Sequence, residues 1–429
     1  SRIESLRRRM LAAEPSVDIS RARIVTQVHH EHAGEPLVSV WGECMYRLFT
    51  ELPVDIAQGE LVVGAPTPRP RAAQLFPEVQ AGWLDPELDG VTARAWDPLR
   101  MSAEDIQVVR DVILPYWKGR TIAERLFAQC PDETAALIYL EPGVWPTRST
   151  GIIDNYSLIQ KGIGTVVPNY RKVLERGVNG ILADIDARSG QLDLSDPANV
   201  GRRVFLQTTR RTLEGFLVFA QRYANRALEL AGSEPDEARR NELMEIHHVC
   251  SRVPAEPARN FHEAVQSFWF THVAVRIEES GHSLSPGRFD QYMLPFLSPS
   301  DDRGRVLELL ECLFIKFSEL MLFVNVDTSK FYTGVPQWQN LNLGGRKSDG
   351  RDATNELSLM CLDAIIDLRI VQPDISVRVH PDTPEEFLLK ACELARLGTG
   401  HPKFYNEDII SYSLANKGLS LIESRDFAI

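Results

Sequence analysis

The chain has 429 residues, of which 44% are hydrophobic and 25% are charged, a composition typical of a globular protein with a sizeable core. Its formal net charge of -12 argues against non-specific binding to nucleic acid, because a phosphate backbone attracts basic surfaces. The sequence shows neither a signal peptide nor an apolar run of the roughly 20 residues that a membrane-spanning helix needs. It therefore predicts a cytoplasmic protein that binds neither membrane nor nucleic acid.

Helical patterns dominate the first three-quarters of the chain. The run Arg7-Arg8-Arg9 is most simply the solvated face of the first helix, and Ser102 with Asp105 predicts a capped helix start. A Pro-rich stretch over 66–86 predicts extended backbone. The apolar spacing predicts helices over 3–13, 20–32, 41–52, 169–176 (ending at Gly177), 200–231, 237–250, 261–277 and 304–323.

The character of the sequence changes beyond residue 323. Residues 339–343 and 374–380 alternate between apolar and polar side chains, which predicts two strands. Residues 352–367 have helical spacing, and Thr383 with Glu386 predicts a capping box for a further helix. Strand, loop and helix in repeated order favour parallel strands with helices outside, in a sheet or a barrel. The chain reads as one helix-rich α/β domain.

Two polar segments interrupt the helices. Residues 141–164 are irregular and rich in Gly, Pro, Ser and Thr, and residues 278–292 lie between two apolar helices. Polar loops on rigid scaffolds are where binding and chemistry concentrate. The second segment carries His282 and Ser283, which either order the loop or contact a substrate.

Other residues of this region also allow two interpretations. Glu278 and Glu279 could be acid–base groups, although carboxylates at the start of a loop more often cap a helix or bind an arginine. Arg288 and Asp290 fit a structural pair. Trp338 either lines an apolar pocket or packs in the core.

Several standard motifs are absent from the sequence. It has no GxGxxG that opens a helix, no GxxxxGK[ST], no HExxH and no GxSxG, so it lacks the signatures of dinucleotide binding, P-loops, zinc peptidases and serine hydrolases. His29, His30 and His32 fit surface positions better than ligands. The six cysteines form no CxxC pair, and Cys312, Cys361 and Cys392 fit buried, inert thiols of a reducing cytoplasm.

Seven short motifs together resemble the glycyl radical enzymes, the pyruvate formate-lyase-like superfamily. They occur in family order from end to end of the chain, at residues 59–64, 76–78, 115–120, 281–292, 355–358, 372–378 and 400–406.

The resemblance implies a ten-stranded α/β barrel of the pyruvate formate-lyase type, wrapped in helices. This chain would supply the helix-rich shell, roughly residues 1–255, and the first half-barrel with its substrate loops, roughly residues 256–429. Residues 423–429 resemble the segment before the family's Gly-Cys-x-Glu loop. The thiyl cysteine, the general-base glutamate and the C-terminal glycyl radical domain are therefore expected beyond Ile429.

The resemblance also implies substrate contacts. His282, as the catalytic residue, and Ser283 match the histidine and serine that bind substrate hydroxyls in glycerol and diol dehydratases. Thr165 stands where those enzymes have a second histidine, which puts plain glycerol dehydration in doubt. Tyr156 and Gln160 fall where choline and isethionate lyases contact their substrates, and no arginine matches the sulfonate-binding position. An aromatic lining from Tyr156 and Trp338 would suit an apolar or cationic group.

The sequence thus predicts a glycyl radical lyase that removes water, or another leaving group, from a small hydroxylated substrate. C–N or C–S cleavage, arylacetate decarboxylation, radical addition to fumarate and a non-catalytic half of a split enzyme stay open. The expected cofactor is no bound molecule but a glycyl radical, installed by a radical S-adenosylmethionine activating enzyme. We also expect a homodimer, an anaerobic bacterial host and no metal.

Overall fold

The computed structural model describes residues 1–79, 81–129, 131, 133, 165–281, 283–326, 329–330 and 337–427. The irregular segment predicted over 141–164 lies outside these residues. In chain order, the helices are α1 (Arg2–Ala12), α2 (Ser20–Glu31), α3 (Leu37–Glu51), α4 (Leu84–Glu87), α5 (Ala103–Val108), α6 (Leu114–Trp117), α7 (Ile122–Phe127), α8 (Tyr170–Gly190), α9 (Ala198–Ser233), α10 (Glu237–Arg252), α11 (Phe261–Glu278), α12 (Phe289–Met293), α13 (Arg303–Glu319), α14 (Glu356–Leu368), α15 (Glu385–Arg396), α16 (Glu407–Ala415) and α17 (Leu421–Phe427).

Parallel strands form two groups. The strands are β1 (Ser16–Asp18), β2 (Ala72–Gln74), β3 (Thr165–Val166), β4 (Ser283–Leu284), β5 (Asn340–Gly344), β6 (Asp374–Val379) and β7 (Lys403–Asn406). Strands β1 and β2 pair with each other. The other five run parallel in the order β3–β4–β5–β6–β7, with β4 and β5 joined by isolated bridges. This arrangement confirms a helix-rich α/β fold, and closure into a ten-stranded barrel stays a prediction.

The five-stranded sheet has two chemically different faces. Leu341, Leu343, Ile375 and Val377 alternate along β5 and β6, and all four are fully buried. The intervening positions carry Asn, Ser and Arg side chains on the other side. Because successive side chains of a strand point to opposite sides, one face packs on helices and the other is polar.

Helix α11 lies at the centre of the hydrophobic core. Phe268, Phe270 and Val273 are fully buried, and side chains around most of the circumference of the helix are buried, as expected for a helix with neighbours on all sides. Asn260 caps its first turn by accepting a hydrogen bond from the Glu263 N–H. A rigid, buried helix therefore leads directly into the polar segment that begins at Glu278.

Close helix packing builds the N-terminal shell. The long helix α9 packs on α3 and α10. A Cβ on Gly215 would lie 2.8 Å from the Cα of Tyr46, so the α9–α3 crossing requires glycine there. No helix among the described residues combines the length and apolarity needed to cross a bilayer.

The predicted end of the helix 169–176 at Gly177 is confirmed, because the backbone of Gly177 is not helical. A second helical segment, which the sequence does not predict, follows directly. Helix α8 continues to Gly190, with a kink at Gly177, which has φ 63°. At the kink, the N–H groups of Val178 and Asn179 donate to the carbonyls of Pro254 and Ala255. A Cβ on Gly177 would lie 2.4 Å from the Ala255 oxygen, so the glycine both ends the first helical segment and permits a close approach of another backbone.

Other local predictions are corrected. The helix predicted over 304–323 ends at Glu319, because Met321 pairs with Ala73 as extended backbone. Thr383 does not cap α15, since its hydroxyl accepts a hydrogen bond from the His380 N–H. Cys392 is exposed, whereas Cys312 and Cys361 are buried as predicted.

The basic run on α1 is also not entirely solvated. Arg9 donates to Glu60 and Glu319, and it is about one-third exposed. His29, expected at the surface, is half-buried against Trp117, with ring centroids 4.9 Å apart.

Candidate functional site

Three of the predicted substrate residues are neighbours on the sheet. Thr165 of β3 pairs with Ser283 of β4, and Ser283 pairs in turn with Trp338, just before β5. The Leu284 N–H donates to the Trp338 carbonyl over 2.9 Å, which fixes the register. Since paired residues of parallel strands point to the same side, the three side chains share the polar face. We call this row, Thr165–Ser283–Trp338, the substrate rung.

Two buried glutamines set the direction of Trp338. Gln337 and Gln339 are both fully buried on the helix side of the strand. Gln339 Nε2 donates to the carbonyls of Phe317 and Gln337, and its Oε1 lies 3.0 Å from His272 Nε2. Because neighbours along a strand alternate, Trp338 points to the polar face, where 39% of it is exposed. The pocket-lining interpretation of Trp338 is therefore favoured over the core interpretation.

Hydroxyl and amide groups continue from the rung along the polar face. The Ser283 and Ser285 hydroxyls are 3.4 Å apart, and Asn340 N–H donates to Ser285 Oγ at the same distance. The Ser376 hydroxyl donates to Asn340 Oδ1 over 2.6 Å, and Asn340 Nδ2 donates to Asn342 Oδ1 over 3.1 Å. These are neutral donors and acceptors of the kind that orient alcohols.

Arginines hold the backbone at the end of α11. Arg21, fully buried, donates to the carbonyls of Ile277 and Glu278, and to the Glu78 carboxylate over 2.6 Å. Arg276 donates to the Glu279 carbonyl over 2.7 Å. The ring centroid of Phe76 lies 3.7 Å from the guanidinium carbon of Arg21 and 5.1 Å from that of Arg276. Residues 76–78 therefore hold the two arginines that bind the start of the polar segment.

The carboxylates of this segment have structural partners. Glu278 accepts from the Trp41 indole N–H, and Glu279 accepts from the Gly281 N–H over 2.5 Å. Burial raises the pKa of Glu279, and the nearby Arg276 opposes that shift. These contacts favour the structural alternative for both residues over direct acid–base chemistry.

Arg288 and Asp290 are structural, but they bind different groups rather than each other. Arg288 donates to the carbonyls of Arg425 and Arg346, each over 2.8 Å. Asp290 accepts from the Gly344 N–H and from the Ser358 hydroxyl. The two side chains thereby fix the turn after β5 and the start of α14.

A buried network behind the rung was missed by sequence reasoning. The Tyr170 hydroxyl lies 2.8 Å from His272 Nδ1, and His272 Nε2 faces the Gln339 carbonyl oxygen. Since Gln339 Oε1 can only accept, His272 carries its proton on Nε2 and accepts from Tyr170. Burial lowers the pKa of His272 to about 3, so the ring is neutral. The only sequence signal was a polar residue inside an apolar helix.

The described cysteines do not lie on the polar face. Cys44, Cys250, Cys312 and Cys361 are buried in helices, and Cys392 is on α15. Burial raises the pKa of the Cys44 thiol to about 12. None of them fits a thiyl position beside the rung. The described residues also contain no group of three or more His, Cys, Asp or Glu side chains that could hold a metal ion.

Three predicted contacts, Tyr156, Gln160 and His282, lie outside the described residues. Their roles stay predictions.

Comparison with known proteins now identifies the family. The model described as "pyruvate formate lyase-like" matches residues 1–429. The chain belongs to the pyruvate formate-lyase-like family of glycyl radical enzymes. The resemblance inferred from the seven motifs is thereby confirmed.

Relatives and solved structures of this family agree with the fold. The chain is 32% identical to the isethionate sulfite-lyase of Nitratidesulfovibrio vulgaris, over 97% of this chain and 51% of that protein. It is 29% identical to the trans-4-hydroxy-L-proline dehydratase of Clostridioides difficile, over 99% of this chain and 53% of that one. The glycerol-bound B12-independent glycerol dehydratase of Clostridium butyricum superposes with a TM-score of 0.94 at 35% identity, over 99% of this chain and 53% of that one. The chain thus spans about half the length of the relatives it matches.

Proposed function

We propose that this chain forms the substrate-binding half of a glycyl radical lyase that eliminates water, or another leaving group, from a small hydroxylated substrate. The observation that carries the proposal is the substrate rung. Residues 118 positions apart in sequence, Thr165 and Ser283, become neighbours with Trp338 on one polar face. A core needs no such row of two hydroxyls and an aromatic ring.

The rung is suited to orient one C–H bond of a diol-like molecule. The Ser283 hydroxyl can donate to or accept from a substrate hydroxyl, and Ser285 beside it holds its orientation. The Trp338 ring supplies an apolar wall that excludes water from one side. Fixed orientation of a reacting bond can contribute about 7–11 kcal/mol to catalysis, so such a site needs little acid–base chemistry of its own.

The radical chemistry comes from outside the described residues. In this family a glycyl radical supplies the hydrogen-atom abstraction that starts the reaction. The described cysteines do not fit that relay, so the chain's own contribution is binding, orientation and exclusion of water. The proposal includes a thiyl cysteine and a general base outside the described residues, an activating enzyme and a homodimeric state.

C–S cleavage is the second candidate. Its specific support is the 32% identity to an isethionate sulfite-lyase over 97% of this chain. Against it stands the substrate rung, which offers hydroxyls and an aromatic ring rather than an arginine for a sulfonate. We place dehydration first on this chemistry.

Anaerobic activation followed by a substrate panel tests the proposal. The natural protein would be activated by a radical S-adenosylmethionine enzyme and inspected by electron paramagnetic resonance for the glycyl radical doublet. Glycerol, 1,2-propanediol, trans-4-hydroxy-L-proline, choline and isethionate would then be supplied in turn. Aldehyde or imine formation with neither sulfite nor trimethylamine supports a dehydratase, sulfite release supports the C–S lyase, and trimethylamine release supports C–N cleavage. A stable radical with no turnover of any hydroxylated substrate would contradict the proposal.

A further inference from the structure

We infer that Glu279 and Gln337 are positioning residues that clamp the Gly281 peptide from both sides and thereby set the spacing between the two walls of the substrate rung. The clamp is a property of the fold. Its effect on a substrate rests on the proposed function.

The two side chains bind the two polar groups of one peptide residue. Glu279 Oε2 accepts from the Gly281 N–H over 2.5 Å, and Gln337 Nε2 donates to the Gly281 carbonyl over 3.0 Å. Gln337 Nε2 also lies 3.5 Å from Glu279 Oε1, so the carboxylate and the amide support each other. Glu279 is 9% exposed and Gln337 is fully buried, which protects these bonds from competition by water.

The clamp joins two elements that are distant in sequence. Glu279 ends the rigid helix α11, whereas Gln337 begins the approach to β5. Gly281 lies two residues before Ser283, and Gln337 lies one residue before Trp338. The same contacts therefore fix both Ser283 and Trp338, and they fix one relative to the other.

Other contacts already hold the backbone before Gly281, so Glu279 and Gln337 are what hold the backbone at Gly281 itself. Arg21 and Arg276 already bind the carbonyls of residues 277–279. A buried carboxylate costs free energy unless it is hydrogen-bonded. The Glu279 carboxylate is hydrogen-bonded because its Oε2 accepts from the Gly281 N–H. An ion pair with Arg276 alone would not require the carboxylate to reach forward to residue 281. The geometry is that of a loop anchor.

Hydrogen exchange without substrate tests the clamp itself. In Glu279→Ala and Gln337→Ala, amides in peptides covering residues 279–285 should exchange at least about tenfold faster than in the natural protein. The first variant loses the hydrogen bond from the Gly281 N–H, and the second loses the hydrogen bond to the Gly281 carbonyl. Glu279→Gln keeps the side-chain length and one acceptor, so it should recover part of the protection.

Gln266→Ala is the matched control. Gln266 is also buried and also binds both backbone polar groups of one residue. Its Oε1 accepts from the Val63 N–H and its Nε2 donates to the Val63 carbonyl. This variant should lose a comparable amount of stability but leave exchange over 279–285 unchanged. Unchanged exchange in both clamp variants, or an equal rise in Gln266→Ala, would overturn the inference.

Steady-state kinetics on the activated enzyme tests the consequence for substrate. We expect KM for the accepted substrate to rise about tenfold in Gln337→Ala, with kcat falling as well, because small misplacements of an orienting group are costly. Gln266→Ala should retain the natural KM. Should the natural protein turn over no substrate, the proposed function fails, and the exchange experiment alone decides for or against the clamp.

Discussion

At the residue scale, Ser283 has the most direct consequence for function. Its hydroxyl lies on the polar face between Thr165 and Trp338, and it is only 7% exposed. We expect Ser283→Ala to lower kcat/KM about fivefold, since one neutral hydrogen bond contributes about 1 kcal/mol, while the circular dichroism spectrum and melting temperature stay unchanged. Ser267→Ala, on the far side in α11, is the control and should keep full activity. Equal activity of Ser283→Ala and the natural protein would remove Ser283 from the substrate site.

Glu311 gives a pH dependence that a single substitution can isolate. Burial raises its pKa to about 7, with Asp367 and Glu308 adding to the shift. Between pH 4.5 and 7 the folded state binds the proton more tightly than the unfolded state, so this group's contribution to stability falls as pH rises through that window. Glu311→Gln should therefore be more stable than the natural protein at pH 8 and equal to it at pH 4.5.

Chemical denaturation at both pH values would measure this difference. Glu393→Gln, at an exposed position of α15, is the control and should show no comparable change. If the free energy of unfolding differed between Glu311→Gln and the natural protein by the same amount at both pH values, the raised pKa of Glu311 would be contradicted.

At the element scale, a buried ion-pair network joins α1 and α13 to the loop before residue 61. Glu60 accepts from Arg9 over 2.7 Å and from Lys316 over 2.5 Å, and Glu319 also lies 3.2 Å from Lys316. Burial alone would lower the Lys316 pKa, but Glu319 and Glu60 hold it above its usual range. The lysine is therefore charged inside the core, and it depends on its partners.

Removing one partner should cost much more than removing the pair. Glu60→Ala leaves Lys316 buried without its closest carboxylate and should destabilise the protein by about 3–5 kcal/mol. The double variant Glu60→Ala/Lys316→Met should recover part of this loss, because no uncompensated charge remains. Urea unfolding of the natural protein, both single variants and the double variant forms a complete cycle. Strictly additive losses would show that the two side chains do not act as a pair.

The elements also show how far the sequence could predict the structure. Helices with clear periodicity, such as those near residues 200–231 and 237–250, are found within about two residues of the predicted bounds. The sequence predicts the helix end at Gly177 but not the second helical segment that follows it to Gly190. Thr383 misled the prediction of a helix cap, since a hydroxyl can bind any nearby N–H and not only that of a helix.

The sequence offers candidate site residues but does not show how they are arranged. The family resemblance points to Ser283, Thr165 and Trp338, whereas their pairing into one row depends on strand register between distant segments. Which residues of two distant parallel strands pair with each other depends on how the long segment between the strands packs, and the sequence of either strand alone does not give it. The Glu279–Gln337 clamp and the Tyr170–His272 contact were missed for the same reason, because each joins residues far apart in the chain.

At the scale of the whole molecule, the chain combines many helices with five parallel strands whose polar face carries the candidate site. Helices α13, α14 and α15 follow one another between the strands, as expected for crossover connections in a parallel sheet. The chain spans about half the length of its relatives, and it superposes on the glycerol-bound dehydratase with a TM-score of 0.94. We propose that this half orients the substrate and that the radical chemistry is supplied from elsewhere.

A crystal structure of the natural protein with its turnover substrate, grown without oxygen, tests that claim most directly. We predict a substrate hydroxyl within about 3.2 Å of Ser283 Oγ and carbon atoms of the substrate against the Trp338 ring. Electron density for the substrate at a site that touches neither Ser283 nor Trp338 would contradict the account.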